Sequence, residues 1–228
     1  MRAIILAAGL GTRLRPMTNT KPKALVEVKD KPLIEYQIEY LKEKNIDDII
    51  VVVGYLKEQF EYLKEKYDVT LVFNDKYDKY NNFYSLYLVK EYLANSYVID
   101  ADNYIFKNIF KKNVDRSTYF SVYREDCQNE WFLIYDENYK VSDIIVDSKD
   151  GRILSGVSFW DASTAEKICK FIDKAYEENI YQELYWDNMV KDNIAELDVY
   201  VEELGNDTIY EIDSIADYNK LHEILENK

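Results

Sequence analysis

The chain has 228 residues, 47% of them hydrophobic, and a formal net charge of −14 at pH 7. This acidic balance argues against nucleic acid as a partner, because a phosphate backbone requires a broad basic face. No apolar run approaches the ~20 residues that a membrane-spanning helix needs, and the first apolar segment lacks signal-peptide features. We therefore expect no membrane association and a cytoplasmic location.

The first hundred residues alternate short apolar segments with amphipathic ones. Residues 2–8 are predicted to form a buried strand that runs into a glycine-containing loop. The periodicity then predicts a helix, a strand, a helix, a strand, a helix and a strand. Their predicted bounds are 32–44, 49–54, 56–67, 69–73, 83–93 and 97–100. This alternation predicts a mostly parallel sheet covered by helices on both faces.

The pattern changes after Asp102, where strands follow one another directly. A helix over 163–178, capped by Ser163, comes after these strands. Later elements are a helix over 185–196 and a closing helix over 215–225. The strands are predicted at 117–124, 130–135, 140–146, 152–160, 197–204 and 209–212. With 3 prolines, 6 glycines and no linker-like stretch, the chain fits a single domain.

Cysteine and histidine give no sign of a reactive or metal-binding site. The two cysteines, Cys127 and Cys169, lack metal-ligand spacing, and the single histidine is His222. We expect both cysteines to be ordinary thiols in a reducing compartment. This argues against a Cys/His nucleophile and against a zinc site.

Positive charge is concentrated at the amino-terminal end. The first 26 residues hold five basic residues and no acidic one, whereas the remaining residues sum to −19. So many cations without acids repel one another unless an anion binds among them. The five are Arg2, Arg13, Arg15, Lys21 and Lys23. This contrast predicts a site for a small, phosphate-rich ligand.

Gly9 and Gly11 follow the first strand directly, where ligand phosphates can approach backbone N–H groups. The bare Gly-x-Gly pattern is not specific. A dinucleotide-binding loop would have a third glycine at the position of Leu14, and no Gly-Lys-Ser/Thr sequence of a Walker loop exists. The more distinctive unit is Gly-x-Gly-Thr-Arg-x-x-Pro followed by Pro-Lys-Ala-Leu.

Three ordered motifs, at 3–16, 21–25 and 31–36, resemble the sugar-phosphate nucleotidyltransferase superfamily. They read AIILAAGLGTRLRP, KPKAL and KPLIEY. The resemblance implies a Rossmann-like α/β fold, with a mostly parallel central sheet flanked by helices and a small mixed β/α substrate-binding insertion. It implies one nucleotidyltransferase domain, 1–228, with a nucleotide-binding half, 1–102, and an acceptor-binding half, 103–228.

The resemblance also implies roles for individual residues. Arg13 would meet the β- and γ-phosphates, and Lys23 would meet the α-phosphate and the acceptor phosphate. Asp102 and Asp213 would hold Mg²⁺, so that Arg13, Lys23 and Asp102 form the catalytic set. The implied nucleotide-binding residues are Leu6, Ala7, Ala8, Gly9, Gly11, Thr12, Arg13, Lys23, Asn82, Tyr84 and Ser85.

The chemistry of nucleotidyl transfer agrees with these roles. An anionic phosphate must attack an anionic α-phosphorus, so cations have to offset the repulsion. A phosphate monoester is already a nucleophile at pH 7, so the scarcity of histidine and cysteine is no obstacle. Asp100 and Asp102 alternate along one strand and end at the carboxyl edge of a parallel sheet, where ligands bind. Asp100 could equally be a structural strand-end residue.

Four later stretches, 81–86, 129–132, 185–189 and 210–213, resemble bacterial CTP:phosphocholine cytidylyltransferases. This resemblance implies CTP and phosphocholine as substrates and CDP-choline as product. The choline pocket would contain Trp131, Tyr185, Asp187 and Glu211. Aromatic faces and nearby carboxylates suit a quaternary ammonium, which has no N–H to donate.

Several alternatives stay open at this point. The acceptor could be a sugar 1-phosphate, phosphoethanolamine or an aminoalkylphosphonate. A non-catalytic, nucleotide-binding regulatory subunit is a more remote alternative, because it would lack the loop or the metal acids. The chain could be a monomer or a homodimer.

Overall fold

The computed structural model describes residues 1–227. Strands and helices follow one another along the chain much as the sequence patterns predict. The strands are β1 (Arg2–Ala7), β2 (Glu27–Val28), β3 (Lys31–Pro32), β4 (Asp48–Val53), β5 (Thr70–Phe73), β6 (Ser96–Asp100), β7 (Asn103–Ile105), β8 (Thr118–Arg124), β9 (Glu130–Tyr135), β10 (Val141–Asp147), β11 (Gly151–Trp160), β12 (Tyr200–Glu203) and β13 (Ile209–Glu211). The helices are α1 (Leu33–Glu43), α2 (Tyr62–Tyr67), α3 (Phe83–Tyr87), α4 (Ala162–Glu177), α5 (Asp187–Lys191) and α6 (Ile215–Glu226).

A single large sheet passes through both halves of the chain. Strand β1 lies between β6 and β4 and pairs in parallel with both, and β5 extends this part beyond β4. Strand β11 joins the other side of β6 in antiparallel orientation, so the main path runs β10-β9-β11-β6-β1-β4-β5. Strand β8 pairs with β11, and β12 pairs in parallel with β8. The predicted mostly parallel, helix-flanked sheet is confirmed.

Side chains of β1 alternate between two hydrophobic cores. Ile5 lies in the core that contains Ile38 of α1, whereas Ile4 lies in the core that contains Ile168 of α4. This two-sided burial explains why the strand is apolar at every position from 3 to 7. The carboxyl ends of β1 and β6 lie side by side, with Leu6 opposite Asp100, so the loops that follow the two strands begin at the same edge of the sheet.

A two-stranded antiparallel ribbon of β7 and β13 extends the same edge of the molecule. Its register places Glu211 opposite Asn103, and the N–H of Ile212 donates to the carbonyl of Asp102 at 3.1 Å. Ser214 then begins α6 through a reciprocal capping box with Asp217. The ribbon thus brings the late acidic residues next to the end of β6.

Three predicted helices are shorter than expected. Predicted helix 56–67 is a 3-10 turn followed by α2, and predicted helices 83–93 and 185–196 are α3 and α5, each followed by a 3-10 turn. Val89 and Asn193 leave the helical region, with φ of −125° and −122°. Both residue types have weak helix propensity, which apolar periodicity alone does not reveal.

The cap of α4 was predicted wrongly. Asp161, not Ser163, is the N-cap, because its carboxylate accepts from the backbone N–H groups of Ser163 and Thr164. The helix accordingly begins at Ala162. Among the described helices, none has both the length and the apolarity that crossing a bilayer requires.

Candidate active site

The loop after β1 packs tightly against the segment that carries Lys23. Gly11 has φ of +61°, and a Cβ there would lie 3.0 Å from the Cβ of Lys23. The hydroxyl of Thr18 donates to the carbonyl of Gly11 at 2.7 Å. A residue with a side chain at position 11 would be strained by its backbone and would collide with its neighbours.

Lys23 lies between two carboxylates at the edge of the sheet. Its Nζ is 2.8 Å from Asp102 Oδ2 and 2.7 Å from Asp213 Oδ1. Arg13 reaches the same oxygen of Asp213 at 2.9 Å. Burial opposes the charge of Lys23, but the two carboxylates outweigh it and raise its pKa above the ordinary value. The structure therefore brings together Arg13, Lys23, Asp102 and Asp213.

Three acidic residues form a cluster that could hold a divalent cation. One carboxylate oxygen from each of Asp102, Glu211 and Asp213 lies within 4.8 Å of the other two. Asp102 Oδ1 is buried and has no hydrogen-bond partner. The pKa of Glu211 is raised, first because the protein atoms around its carboxylate displace water, and then by the charges of Asp102 and Asp213. The residue as a whole is nevertheless exposed to solvent. An oxygen-only ligand set with one unsatisfied buried oxygen suits Mg²⁺ or a similar hard cation.

A cavity of about 450 Å³ opens above the glycine loop and Lys23. Most of the predicted nucleotide-binding residues line it: Leu6, Ala7, Ala8, Gly9, Gly11, Thr12, Arg13, Lys23, Asn82 and Ser85. The opposite wall was not predicted and is formed by Asn74, Tyr77–Asn81, Gln182 and Glu183. Glycine and charge patterns pointed to the loop only, because this wall consists of ordinary polar and aromatic residues.

Tyr84 does not line this cavity. Its ring stacks on Tyr87 at 5.7 Å between centroids, and the ammonium of Lys76 lies 4.3 Å from its ring centroid. Neighbouring positions on a helix point about 100° apart. Ser85 therefore reaches the cavity while Tyr84 packs into a tyrosine cluster behind it.

A second cavity, of about 530 Å³, adjoins the first. All four residues predicted for the choline pocket line it, namely Trp131, Tyr185, Asp187 and Glu211. The rings of Trp131 and Tyr185 meet edge to face, with centroids 6.3 Å apart and planes at 81°. Residues lining both cavities are Arg13, Asn82, Asp100, Asp102 and Asp213.

The second cavity is strongly acidic. Burial raises the pKa of Asp187 to about 7, although a hydrogen bond from Tyr119 acts in the opposite direction. Burial and the charges of Asp102 and Asp187 raise the pKa of Asp100 well above its ordinary value. Glu130 also has a raised pKa, mainly through burial and then the charge of Asp213. Such a pocket favours a cation.

Two side chains connect the walls of the cavities. Asn82 Oδ1 accepts from the backbone N–H of Trp186 at 3.0 Å, and Asn81 Nδ2 donates to the carbonyl of Glu183 at 2.8 Å. The loop that borders the first cavity is thereby tied to the segment that begins α5. Tyr119, Glu130 and Gly156 also line the second cavity and were not predicted.

Comparisons with known proteins agree with this arrangement. The nucleotidyl transferase family model matches residues 2–122. The chain is 77% identical to the choline-phosphate cytidylyltransferase of Streptococcus pneumoniae over the full length of both chains. It is 41% identical to the choline-phosphate cytidylyltransferase of Haemophilus influenzae, over 99% of this chain and 97% of the other. The solved structure of the CTP:phosphocholine cytidylyltransferase from Streptococcus pneumoniae is similar with a TM-score of 0.97, over 98% of each chain. The resemblance noted from the motifs is confirmed.

Proposed function

The chain belongs to the nucleotidyl transferase family, and we propose that it is an enzyme that transfers CMP from CTP to phosphocholine. The products are CDP-choline and pyrophosphate. One observation carries this proposal: a cationic and acidic cluster lies where a loop-lined cavity meets an acidic, aromatic one. CTP would occupy the first cavity, and phosphocholine the second. Because CTP is a metabolite of the cytoplasm, we also propose that location.

The reaction is a direct displacement at phosphorus. A phosphate oxygen of phosphocholine attacks the α-phosphorus of CTP, and the bond to pyrophosphate breaks as the new P–O bond forms. We assign Lys23 to the α-phosphate and the acceptor phosphate, and Arg13 to the β- and γ-phosphates. Their positive charges reduce the repulsion between the two anions and stabilise the charge of the transition state. No protein base is required, because the attacking phosphate is already ionised.

Enzymes of this family generally use a divalent metal ion, and we propose Mg²⁺ in this chain. Asp102 and Asp213 would hold it, with Glu211 beside them. When bound, Mg²⁺ would neutralise charge that develops on the pyrophosphate leaving group. For substrate binding, Lys23 must exchange its carboxylate partners for phosphate oxygens. Arg13 must likewise leave Asp213.

The walls of the second cavity suit the choline group. Trp131 and Tyr185 offer two ring surfaces at nearly right angles, and each cation–π contact contributes roughly 0.5–2 kcal/mol. Asp187 supplies a charge without requiring a hydrogen-bond donor from the ligand. A sugar would need a denser set of hydroxyl and amide partners, so this lining favours phosphocholine over a sugar 1-phosphate.

A pyrophosphate-release assay tests the proposal. The enzyme is given CTP, Mg²⁺ and, in separate reactions, phosphocholine, phosphoethanolamine, 2-aminoethylphosphonate and glucose 1-phosphate. We expect the highest kcat/KM with phosphocholine. Release with glucose 1-phosphate and none with phosphocholine would refute the proposed acceptor.

Lys23→Ala is the inactive control for this assay. Losing the cation between the two phosphates should reduce kcat by about 100-fold or more. Lys21→Ala is the matched variant, because Lys21 lies two positions away and pairs only with Glu27, at 2.7 Å, in the described structure. It should retain nearly full activity. Equal loss in both variants would show that the effect reflects the charge of the segment and not the position of Lys23.

A further inference from the structure

The second cavity contains a buried hydrogen bond that the proposed reaction does not use. The hydroxyl of Tyr119, on β8, donates to Asp187 Oδ1 at 2.8 Å. Tyr119 is only 2% exposed. Trp160 meets its ring edge to face at 5.2 Å, and Trp186 stacks on it at 6.5 Å. The hydroxyl is therefore fixed in place and directed at the carboxylate.

Building on the proposed function, we propose that Tyr119 is a positioning residue that keeps Asp187 ionised and oriented towards the choline cation. A quaternary ammonium has no N–H group, so it cannot donate a hydrogen bond to a neutral carboxyl group. It is recognised through charge and through contact with aromatic faces. The ionisation of Asp187 consequently matters more for this ligand than for a primary amine.

The environment of Asp187 makes this ionisation finely balanced. Burial raises its pKa to about 7, and the hydrogen bond from Tyr119 lowers it against that trend. Burial and the nearby Asp187 charge raise the pKa of Tyr119 well above its ordinary value, so its hydroxyl remains a donor at neutral pH. Loss of the hydroxyl would shift Asp187 towards its neutral form in the physiological range.

The other ionisable groups around the cavity cannot replace Tyr119. Asp100 of β6, Glu130 of β9 and Glu211 of β13 line the same cavity but are acidic, as are Asp102 and Asp213 at the junction, so none of them offers Asp187 a positive charge. Arg13 lies at that same junction, where it pairs with Asp213. Although α5 also packs on α4 and β10, no described residue of these two elements lines the cavity. Within residues 1–227, Tyr119 is the only side chain with a hydrogen bond to Asp187.

Tyr119→Phe tests this role because it removes one oxygen and keeps the ring. The matched control is Tyr97→Phe. Tyr97 is also fully buried in the sheet, but its hydroxyl bonds to the backbone of Lys111, away from both cavities. Steady-state rates with CTP, Mg²⁺ and phosphocholine are measured from pH 6 to 9, and the thermal stability of each variant is recorded.

We expect Tyr119→Phe to raise KM for phosphocholine about 10-fold at pH 7, with kcat and KM for CTP close to wild type. The value of kcat/KM for phosphocholine should rise with pH as Asp187 ionises. In Tyr119→Phe this rise should occur about one pH unit higher than in wild type. Tyr97→Phe should leave the pH profile unchanged even if it lowers stability. Asp187→Asn should abolish the rise of kcat/KM with pH, both alone and in combination with Tyr119→Phe.

An unshifted profile in Tyr119→Phe overturns the inference, and so does an equal shift in Tyr97→Phe. Equal losses for CTP and phosphocholine would also contradict it, because they indicate general damage to the site. Wild-type turnover of phosphocholine, measured alongside, tests the proposed function separately. If the wild type turns over phosphocholine and the pH profile of Tyr119→Phe is not shifted, the role of Tyr119 is refuted and the proposed function is not.

Discussion

Trp131 lines the second cavity, the proposed site of phosphocholine, and is only half-buried in the structure. Trp131→Ala should raise KM for phosphocholine about 10-fold, which corresponds to the loss of one good cation–π contact together with ring burial. KM for CTP should change little, because Trp131 does not line the first cavity, the proposed site of CTP. Trp131→Phe keeps a ring face and should lose less. Equal increases in both KM values would argue against an aromatic wall for choline.

Under the proposed function, Asp213 has two roles that oppose each other. Without metal it pairs with Arg13 and Lys23, and with metal it is a proposed ligand. In EDTA, Asp213→Asn should therefore bind CTP more tightly than wild type, because Arg13 and Lys23 no longer pair with this carboxylate and can contact the phosphates of CTP. With Mg²⁺ the same variant should bind CTP more weakly and lose about 100-fold in kcat.

Isothermal titration with CTP, in EDTA and in Mg²⁺, measures this reversal. Asp207→Asn is a suitable control, since Asp207 is an exposed acid in the same part of the chain and its carboxylate pairs with Lys107. It should leave both affinities unchanged. The same direction of change in EDTA and in Mg²⁺ would contradict the double role of Asp213.

At single positions, the sequence singled out residues that the structure brings together where charge or glycine was unusual for its context. Arg13 and Lys23 stood out in an acidic chain, and the structure places them side by side on Asp213. Tyr84, in contrast, was predicted to bind the nucleotide but does not line the first cavity, because one of 22 tyrosines carries little information and its direction on the helix depends on packing. Tyr119 was missed for the same reason. The roles of all these residues in binding and catalysis stay predictions.

Elements with strong apolar patterns were predicted almost to the residue. Strand β9 has the predicted bounds, α1 is one residue shorter than predicted at each end, and α6 is one residue longer at its carboxyl end. Predictions were poorer where a helix is short and its end depends on one local backbone conformation, as after α3 and α5. The ribbon of β7 and β13 joins residues far apart in the chain. The local periodicity of the sequence does not predict the pairing of β7 with β13.

The glycine loop is the element most sensitive to small changes. Gly11→Ala places a methyl group 3.0 Å from Lys23 Cβ and 3.1 Å from Thr18 Cγ2, at a φ of +61°. It should lower the free energy of unfolding by about 1–2 kcal/mol and reduce kcat through displacement of Lys23. Gly9→Ala is the control, since a Cβ there meets nothing within 4 Å.

Urea denaturation and rate measurements on both variants test this difference. Gly9→Ala should retain wild-type stability, although it can still weaken CTP binding where phosphates approach the loop. If Gly11→Ala is as stable and as active as wild type, the close packing of the loop on the Lys23 segment is not important for either property.

Across the whole molecule, buried acids make stability depend on pH. Asp187, with a pKa of about 7, and Asp100 bind protons more tightly in the folded chain than in the unfolded one. Their contribution to stability is therefore fully present below the unfolded pKa and is lost as pH rises through the folded value. Lys23, whose pKa is raised, stays charged throughout this range and does not change the sign.

Without ligands, we expect the melting temperature to be lower at pH 8 than at pH 6. Asp187 alone accounts for about 1 kcal/mol, or roughly 2–4 °C, and the net charge of −14 acts in the same direction. Differential scanning fluorimetry in EDTA measures the change. Asp187→Asn should flatten the dependence, and a melting temperature that rises from pH 6 to 8 in wild type would contradict the assignment.

The sheet explains how much of the architecture was predictable. Alternation along the first hundred residues indicated parallel strands, whereas the antiparallel junction of β6 with β11 depends on long-range pairing. The division into a nucleotide-binding and an acceptor-binding half stays a prediction. One sheet crosses the boundary at residue 102, so the two halves share a common scaffold.

Five residues border both cavities: Arg13, Asn82, Asp100, Asp102 and Asp213. Under the proposed function, a single compound that links a cytidine phosphate to a trimethylammonium group through a non-hydrolysable bridge could reach from one cavity into the other. It would gain the anchoring of both substrates while losing rotational and translational freedom only once. The shared border thus gives inhibitor chemists a template in which linker length, set by the span across these five side chains, is the variable to optimise.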